Sequence, residues 1–171
     1  GESGERARAV LERQLTQMTR LIDDLLDTSN VTRGTVALNK QRLDLRDAVR
    51  SACDAIQTAL DARRHTCGVV VPVDAVMVEG DPLRVQQILS NLLGNAAKYT
   101  PPGGDIQITV GADDHHARVS VRDNGVGIPK DAQARIFDLF TRAMTDGGGF
   151  GIGLAVVRRL VEAHGGSIAV V

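Results

Sequence analysis

The sequence predicts an α/β fold: a two-layer sandwich in which a mixed sheet carries helices on one face, preceded by a long N-terminal helix. In some stretches apolar residues recur every three or four positions, and in others every second position. Glycine-rich turns separate the later stretches. Because 171 residues suffice for one domain and an appended helix, we expect two regions, residues 1–34 and 35–171.

The expected elements follow from periodicity, capping residues and turn signals. In chain order they are a helix over about residues 5–30, strands over 36–38 and 41–45, a helix capped by Asp44 that runs to residue 62, a hairpin of strands 67–71 and 75–78, a helix over 82–99, strands over 105–110 and 117–122, a helix over 154–163, and a strand that begins at Ser167.

The bulk composition excludes several classes of function. The chain has 20 Lys and Arg against 21 Asp and Glu, so it has no footprint for nucleic acid or an anionic membrane. No stretch approaches a membrane span, and the first residues are no signal peptide. Cys53 and Cys67 suit a reducing compartment and are interpreted as packing residues. We therefore expect a cytoplasmic chain without direct membrane contact, even if the intact protein is membrane-anchored.

A polar stripe on the helix over 82–99 is the first motif. Asp81-Pro82 is typical of a helix start, and the Thr-Pro-Pro-Gly-Gly run after Tyr99 of a stop. Five polar residues share one side: Arg84, Gln87, Asn91, Asn95 and Lys98. A solvated face is the plain alternative, but such faces are more often built from Glu and Lys, and asparagine is a poor residue inside a helix. Amide oxygens can also bind Mg²⁺ together with phosphate oxygens.

The second motif, DNGVGIP, follows the expected strand over 117–122. The Asp123 carboxylate can accept a hydrogen bond from the exocyclic amine of adenine, which guanine lacks at that position. Gly125 and Gly127 leave backbone room for a planar ligand. An ordinary Asp-Asn-Gly turn with a purely structural role is about equally compatible with this stretch alone.

The third motif has five glycines between Gly147 and Gly153 and leads into a helix. Backbone amides of such a loop and the start of a helix attract phosphate oxygens. No Gly-Lys-Ser/Thr follows, so this is not a Walker loop. A mobile linker is the alternative, but a linker does not need the periodic helix and glycine cap that follow, which end at Gly166.

Together these stretches resemble the ATP-binding catalytic domain of bacterial sensor histidine kinases, within the ATPase group shared with type II topoisomerase, heat-shock 90 and mismatch-repair proteins. The resemblance covers almost the whole chain and implies a Bergerat-type fold that binds ATP and Mg²⁺. By this resemblance Asn95 is a magnesium ligand with Asn91 nearby, Lys98 faces the phosphates, Tyr99 borders the nucleotide and Asp123 reads adenine. The other implied nucleotide-binding residues are Gly125, Gly127, Ile128, Phe140, Gly149, Gly151, Ile152, Gly153 and Leu154.

Phe137 and Phe140 resemble the phenylalanine box beside the lid of that family, and Arg142 resembles an arginine that can reach the phosphates. The resemblance thus implies that Asn91, Lys98 and Arg142 act in catalysis. The stretch from Phe140 to Gly147 is shorter than most lids of the family, and the family normally adds another strand after Val171.

One position separates the branches of this group. The hydrolysing branches carry a glutamate base where this helix has Asn91, and an amide cannot take a proton from water. Transfer of a phosphoryl group to another protein is therefore favoured. A nucleotide-sensing or interaction module that transfers nothing stays open, as does a hydrolysing ATPase.

The N-terminal segment has apolar residues at alternating spacings of four and three, namely Leu11, Leu15, Met18, Ile22 and Leu25. The pattern fits a helix-bundle seam or one amphipathic helix packed on its own domain. The segment resembles the second helix of the kinase dimerisation hairpin, which implies a homodimer, and the family implies a response-regulator receiver domain as partner.

None of the four histidines lies in the His-acid-x-x-Asn/Thr-Pro setting of a phosphoacceptor, so we expect ATP binding without self-phosphorylation. We expect His65 to be a solvated structural residue and His164 to end a helix. His115 and His116 are interpreted as a polar hairpin tip, because neighbouring strand residues point in opposite directions and suit a metal poorly.

Overall fold

In the computed structural model, residues 4, 8, 37–141 and 151–171 are described. The chain divides into two units, Gly1–Val36 and Ala37–Val171. In the first unit only Gly4 and Arg8 are described, both helical and exposed. The rest of the predicted N-terminal helix therefore lies outside the described residues.

The second unit alternates strands and helices, as the sequence predicts. Its elements are β1 (Gln41–Asp44), α1 (Leu45–Ala62), β2 (Thr66–Val70), β3 (Met77–Gly80), α2 (Pro82–Tyr99), β4 (Asp105–Ala112), β5 (Ala117–Asp123), the short α3 (Lys130–Gln133) and α4 (Gly153–Ala163).

The strands form two sheets. In the larger one, β2 runs parallel to β4, with Thr66 opposite Asp105, and β5 runs antiparallel to β4, with Ile106 opposite Asp123. The smaller sheet pairs β1 with β3 in antiparallel fashion. The predicted mixed sheet is confirmed, and β5 ends at the aspartate of the second motif.

The predicted hairpin of residues 67–71 and 75–78 is wrong, because its two strands pair with other elements: β2 with β4 and β3 with β1. The loop between them instead folds over the start of α1. There the amide of Leu45 donates to the Val76 carbonyl at 3.0 Å, and the Arg46 guanidinium donates to the Val73 carbonyl. The carbonyls of this loop therefore bind α1 rather than a facing strand.

Two further strand predictions are also wrong. Ala37 and Leu38 have no regular structure, and Val36 lies outside the described residues. Residues 167–171 are irregular as well. A strand exists only where another strand supplies hydrogen-bond partners, and in the described part of the chain β5 pairs with β4 alone.

The core lies between the larger sheet and helices α1 and α2, which confirms the two-layer arrangement. On β4, Ile106, Ile108 and Val110 are buried while the residues between them are not. They pack in two clusters with side chains of the helices, among them Val49, Cys53, Leu60, Leu89, Leu93 and Ala96. This packing holds the apolar side of α2 on the sheet and leaves its polar stripe facing away.

Candidate functional site

The polar stripe on α2 starts from a buried cap. Asp81 is 8% exposed, and its Oδ1 accepts hydrogen bonds from the amides of Leu83 at 3.0 Å and Arg84 at 3.3 Å. Its Oδ2 accepts from the amide of Asn39 at 3.0 Å. Burial alone would raise the pKa of Asp81, but these amide donors outweigh it and hold the pKa below its usual value. The cap therefore stays ionised.

All five stripe residues are half-buried, so the stripe is not a fully solvated face. The Asn91 Nδ2 donates to the Gln87 carbonyl at 3.1 Å. Its Oδ1 lies only 2.9 Å from the position that a Cβ would take at Gly153. A side chain at residue 153 would have to displace that amide, so the start of α4 lies directly against the stripe. The first and third motifs thus meet.

Asn95 lies one turn after Asn91 on the same face of α2. Its side chain makes no hydrogen bond to the other described residues, and its amide oxygen is a hard neutral ligand of the kind Mg²⁺ accepts. Among the described residues no group of three His, Cys, Asp or Glu could hold a metal. The donor set therefore fits a magnesium ion only when phosphate oxygens complete its coordination.

The second motif contacts the carboxyl end of α2. The amide of Gly125 donates to Asp123 Oδ1 at 2.9 Å, and the amide of Val126 donates to the Tyr99 carbonyl at 3.4 Å. A Cβ at Gly125 would lie 2.6 Å from both Asp123 Oδ1 and the Tyr99 oxygen. Glycine is thus required where the turn approaches the helix. The turn bond expected of a plain Asp-Asn-Gly turn is also present, and Asp123 itself is exposed.

Lys98 and Tyr99 contact each other at the carboxyl end of α2. The Lys98 Nζ lies 3.0 Å from the Tyr99 hydroxyl and 4.6 Å from the centre of its ring. The ammonium is therefore placed over the aromatic face. Ile128, beyond that turn, is half-buried, and its carbonyl accepts from Gln133 Nε2 at 3.1 Å.

The described residues on either side of residues 142–150 contact each other. The amide of Phe140 donates to the Gly151 carbonyl at 3.0 Å. Gly151 has φ +68, and a Cβ there would lie 2.5 Å from the Thr141 carbonyl oxygen. Phe140 also has a positive φ, 62, and its side chain is 66% exposed. Beside this closure Phe137 and Leu154 are half-buried and Ile152 is buried.

Arg142 and Gly149 lie outside the described residues, and their roles stay predictions. Two cysteines behave as the sequence predicts, as packing residues. Burial raises the pKa of Cys53 to about 12 and also raises the pKa of Cys67. Both thiols are free.

His65 is buried rather than solvated, which corrects the prediction. It is 7% exposed, and its Nε2 lies 3.0 Å from the Ala97 carbonyl oxygen. The prediction failed because the helix end where His65 lies is covered by α2. His115 and His116 lie exposed at the tip between β4 and β5, as predicted, where Asp113 accepts their amide hydrogens at 2.9 Å and 2.8 Å.

His164 ends α4, as predicted, but it also reaches α2. Its Nδ1 lies 2.7 Å from the Leu160 carbonyl oxygen, and its Nε2 accepts from the amide of Asp81 at 3.0 Å. A carbonyl only accepts, so Nδ1 donates to it while Nε2 accepts. His164 thus joins the end of α4 to the cap of α2.

Arg63 and Asn124 also bear on the site and were not anticipated. Asn124 Oδ1 accepts the amide of Asp105 at 2.8 Å, which fixes the turn after β5 to the start of β4. The Arg63 guanidinium contacts the end of α2. Arg63 lies outside the three motifs, and Asn124 lies in the second motif, where only the Asn-Gly turn signal pointed to it.

In the part of the chain that the structure describes, every helix is too short or too polar to span a bilayer.

Comparison with known proteins places this geometry in a family. Residues 80–171 match the family described as histidine kinase-, DNA gyrase B-, and HSP90-like ATPases. The adaptive-response sensory kinase SasA of Synechococcus sp. (strain CC9311) is 41% identical over 170 residues, which cover 97% of this chain and 44% of that protein. The chain thus spans less than half the length of this relative.

Two solved structures have the same fold. Mycobacterial sensor histidine kinase MprB gives a TM-score of 0.66 at 29% identity over 74% of this chain and 80% of the other. Full-length ShkA in complex with AMPPNP gives a TM-score of 0.76 at 30% identity over 87% of this chain and 31% of the other. The family match supports ATP as the nucleotide of the site. The chain belongs to the family of histidine kinase-, DNA gyrase B-, and HSP90-like ATPases.

Proposed function

We propose that this chain is the ATP-binding catalytic part of a two-component sensor histidine kinase. It transfers the γ-phosphoryl group of Mg-ATP to a histidine on a dimerisation helix, and a response-regulator aspartate then receives it. Residues 1–34 supply the other helix of the dimerisation hairpin and residues 35–171 the catalytic domain. The intact protein is accordingly a homodimer whose catalytic part works in the cytoplasm. Relatives named as sensory kinases support this proposal.

The observation that carries the proposal is the convergence of both glycine motifs on α2. A Cβ at Gly153 would lie 2.9 Å from the Asn91 Oδ1, and Gly125 approaches the Tyr99 carbonyl too closely for a side chain. An adenine nucleotide that lies along α2 would meet the Asp123 carboxylate at one end. At the other it would meet amide oxygens and the start of α4, whose free N–H groups favour phosphate.

The assigned roles follow from this placement. Asp123 accepts a hydrogen bond from the exocyclic amine of adenine, and Asn95, with Asn91 beside it, would hold Mg²⁺. When bound, the ion neutralises phosphate charge. Lys98 and Arg142 stabilise the charge that develops on the departing ADP. An unprotonated imidazole nitrogen of the acceptor forms the new N–P bond while the bond to the β,γ-bridging oxygen breaks.

Hydrolysis is disfavoured by the state of Asn91. Its Nδ2 donates to the Gln87 carbonyl, which fixes its amide, and neither amide atom can take a proton from water. Phosphate release by the isolated chain is therefore expected to be far slower than phosphoryl transfer to an acceptor.

Nucleotide binding is tested first by calorimetry with Mg-ATP and Mg-GTP. We expect binding of ATP and a preference for it over GTP. Asp123→Asn replaces a charged acceptor and should weaken ATP binding roughly tenfold. Asp114→Asn removes the same charge from an exposed hairpin tip and should bind as the wild type does. No heat with Mg-ATP from folded protein would refute the proposal.

Transfer is tested by mixing the chain with ATP and a separate dimerisation hairpin that bears an acceptor histidine. The kinase proposal predicts acid-labile phosphohistidine on that hairpin and none when its histidine is replaced. A module that only senses nucleotide would bind ATP and leave the hairpin unlabelled. Steady phosphate release without the hairpin would instead favour a hydrolysing ATPase.

A further inference from the structure

The carboxyl end of α2, which carries Lys98 and Tyr99, is closed by groups from elsewhere in the chain. A helix leaves its last four carbonyls without partners inside the helix. Here Ala96 O accepts the Thr100 amide at 3.0 Å, and Tyr99 O accepts the Val126 amide at 3.4 Å. The two carbonyls between them, of Ala97 and Lys98, lie within reach of Arg63.

One guanidinium nitrogen serves both of these carbonyls. Arg63 Nη1 donates to Ala97 O at 2.8 Å and to Lys98 O at 2.7 Å. His65 Nε2 lies 3.0 Å from Ala97 O, and because a carbonyl only accepts, this nitrogen donates. A cation at this position also opposes the negative end of the helix dipole.

The turn after α1 fixes where Arg63 points. Arg64 has φ 56, and the amide of His65 folds back to the Leu60 carbonyl at 2.9 Å. The carbonyl of Arg63 accepts the Gly103 amide at 2.9 Å. Hydrogen bonds therefore hold Arg63 at both ends: its backbone carbonyl binds Gly103, and its guanidinium binds the carboxyl end of α2.

We infer that Arg63 is a positioning residue for nucleotide binding: by holding the carbonyls of Ala97 and Lys98, it fixes the last turn of α2 and the direction of Lys98 and Tyr99. This inference rests on the proposed function. It extends to the adenine side, since the Tyr99 carbonyl binds the turn that follows Asp123.

The test compares Arg63→Ala with Arg64→Ala. Both remove one positive charge at neighbouring positions, but Arg64 is exposed and its amide, not its side chain, makes the turn bond to Asp61 O. Affinity for Mg-ATP is measured by calorimetry well below the unfolding temperature of each variant. We expect the wild type and Arg64→Ala to bind alike, and Arg63→Ala to bind roughly tenfold more weakly because the displaced turn misplaces Lys98.

Hydrogen exchange supplies a second measurement. In Arg63→Ala the Thr100 amide, which closes the last turn, should exchange faster than in Arg64→Ala. Unchanged exchange at Thr100, or unchanged ATP affinity in folded Arg63→Ala, would overturn the inference and leave the proposed function intact. A wild type that binds no Mg-ATP would instead refute the proposed function.

If Arg63→Ala does not fold, Arg63→Lys decides. Lysine keeps the charge, but its ammonium does not reproduce the fixed fork of the guanidinium. Binding weaker than that of Arg64→Ala, by about threefold or more, would support the inference. Binding equal to that of Arg64→Ala would overturn it.

Discussion

The two ends of α2 are held in different ways. At the amino end the residue directly before the helix does the capping: Asp81 accepts the amides of Leu83 and Arg84. At the carboxyl end the partners come from far along the chain, with Arg63 on one side and Val126 on the other. The first end is therefore closed by local sequence and the second by tertiary structure.

The difference matters because the proposed nucleotide contacts are unevenly placed. Lys98 and Tyr99 lie at the end that depends on the rest of the fold. The position of that end depends on α1 and on the Asp123 turn, whereas the cap of the amino end is formed by the adjacent Asp81. The amino end also has long-range bonds, from Asn39 to the Asp81 side chain and from the Asp81 amide to His164, but its cap does not depend on them.

The largest effect is expected from Asp81→Ala. This change removes the acceptor of three amide hydrogens in a buried position, and we expect the free energy of unfolding to fall by about 2–3 kcal/mol. Urea denaturation measures it. Asp81→Asn keeps a capping oxygen for the helix and should lose only about 1 kcal/mol. Equal losses in the two variants would mean that the capping hydrogen bonds to the helix amides contribute little to stability.

The same comparison explains what the sequence could predict. Both bounds of α2 follow from adjacent residues: an aspartate and proline before Leu83, and a stop after Tyr99. The hydrogen bonds from Arg63 to its carboxyl end could not be predicted, since nothing near Arg63 indicates which helix will pack beside it. For the same reason the sequence predicts a solvated His65, whereas the structure buries it.

Strand pairing shows the same limit. The stretches β2, β4 and β5 were predicted from alternation, but alternation does not state which strand lies beside which. The residues between β2 and β3 therefore suggested a hairpin, although their carbonyls bind Arg46 and Leu45. The family resemblance implies that Gly153 and Gly125 bind nucleotide, but no local pattern predicts their close approaches to Asn91 and Tyr99.

A double-mutant cycle tests the carboxyl end. His65→Phe keeps the ring volume and removes one donor to Ala97 O, which Arg63 still serves. We therefore expect a loss of only about 0.5–1 kcal/mol in the free energy of unfolding. In an Arg63→Ala background the same change leaves that carbonyl without a side-chain donor, so it should cost about 1 kcal/mol more. Additive effects would show that Arg63 and His65 do not substitute for each other as donors to Ala97 O.

Acid unfolding compares the caps of α1 and α2. The side-chain hydrogen bond from Arg46 lowers the pKa of Asp44 to about 2, and amide donors, opposed by burial, lower the pKa of Asp81. Carboxylates with lowered pKa values stabilise the fold above their unfolded pKa, about 3.9, and lose this as the pH falls through the folded value. We expect constant stability above about pH 5 and a decline below pH 4.

Replacing either aspartate by asparagine should flatten that decline, which circular dichroism at graded pH and urea concentration measures. The Asp81→Asn variant should lose the part of the acid-induced decline in stability that the cap of α2 causes and keep the part that the cap of α1 causes. If both variants declined as steeply as the wild type, neither cap would account for the acid sensitivity.

The smallest effect is expected at Arg64, in the turn that directs Arg63 towards α2. Its φ of 56 is unfavourable for any residue with a Cβ, so Arg64→Gly should relieve strain. Glycine also makes the unfolded chain more flexible, and we expect a net gain of only about 0.5 kcal/mol in the free energy of unfolding. Arg64→Ala keeps the Cβ and should leave it nearly unchanged. A glycine variant less stable than the alanine variant would mean that the turn is not strained, and that directing Arg63 towards α2 requires no backbone strain at Arg64.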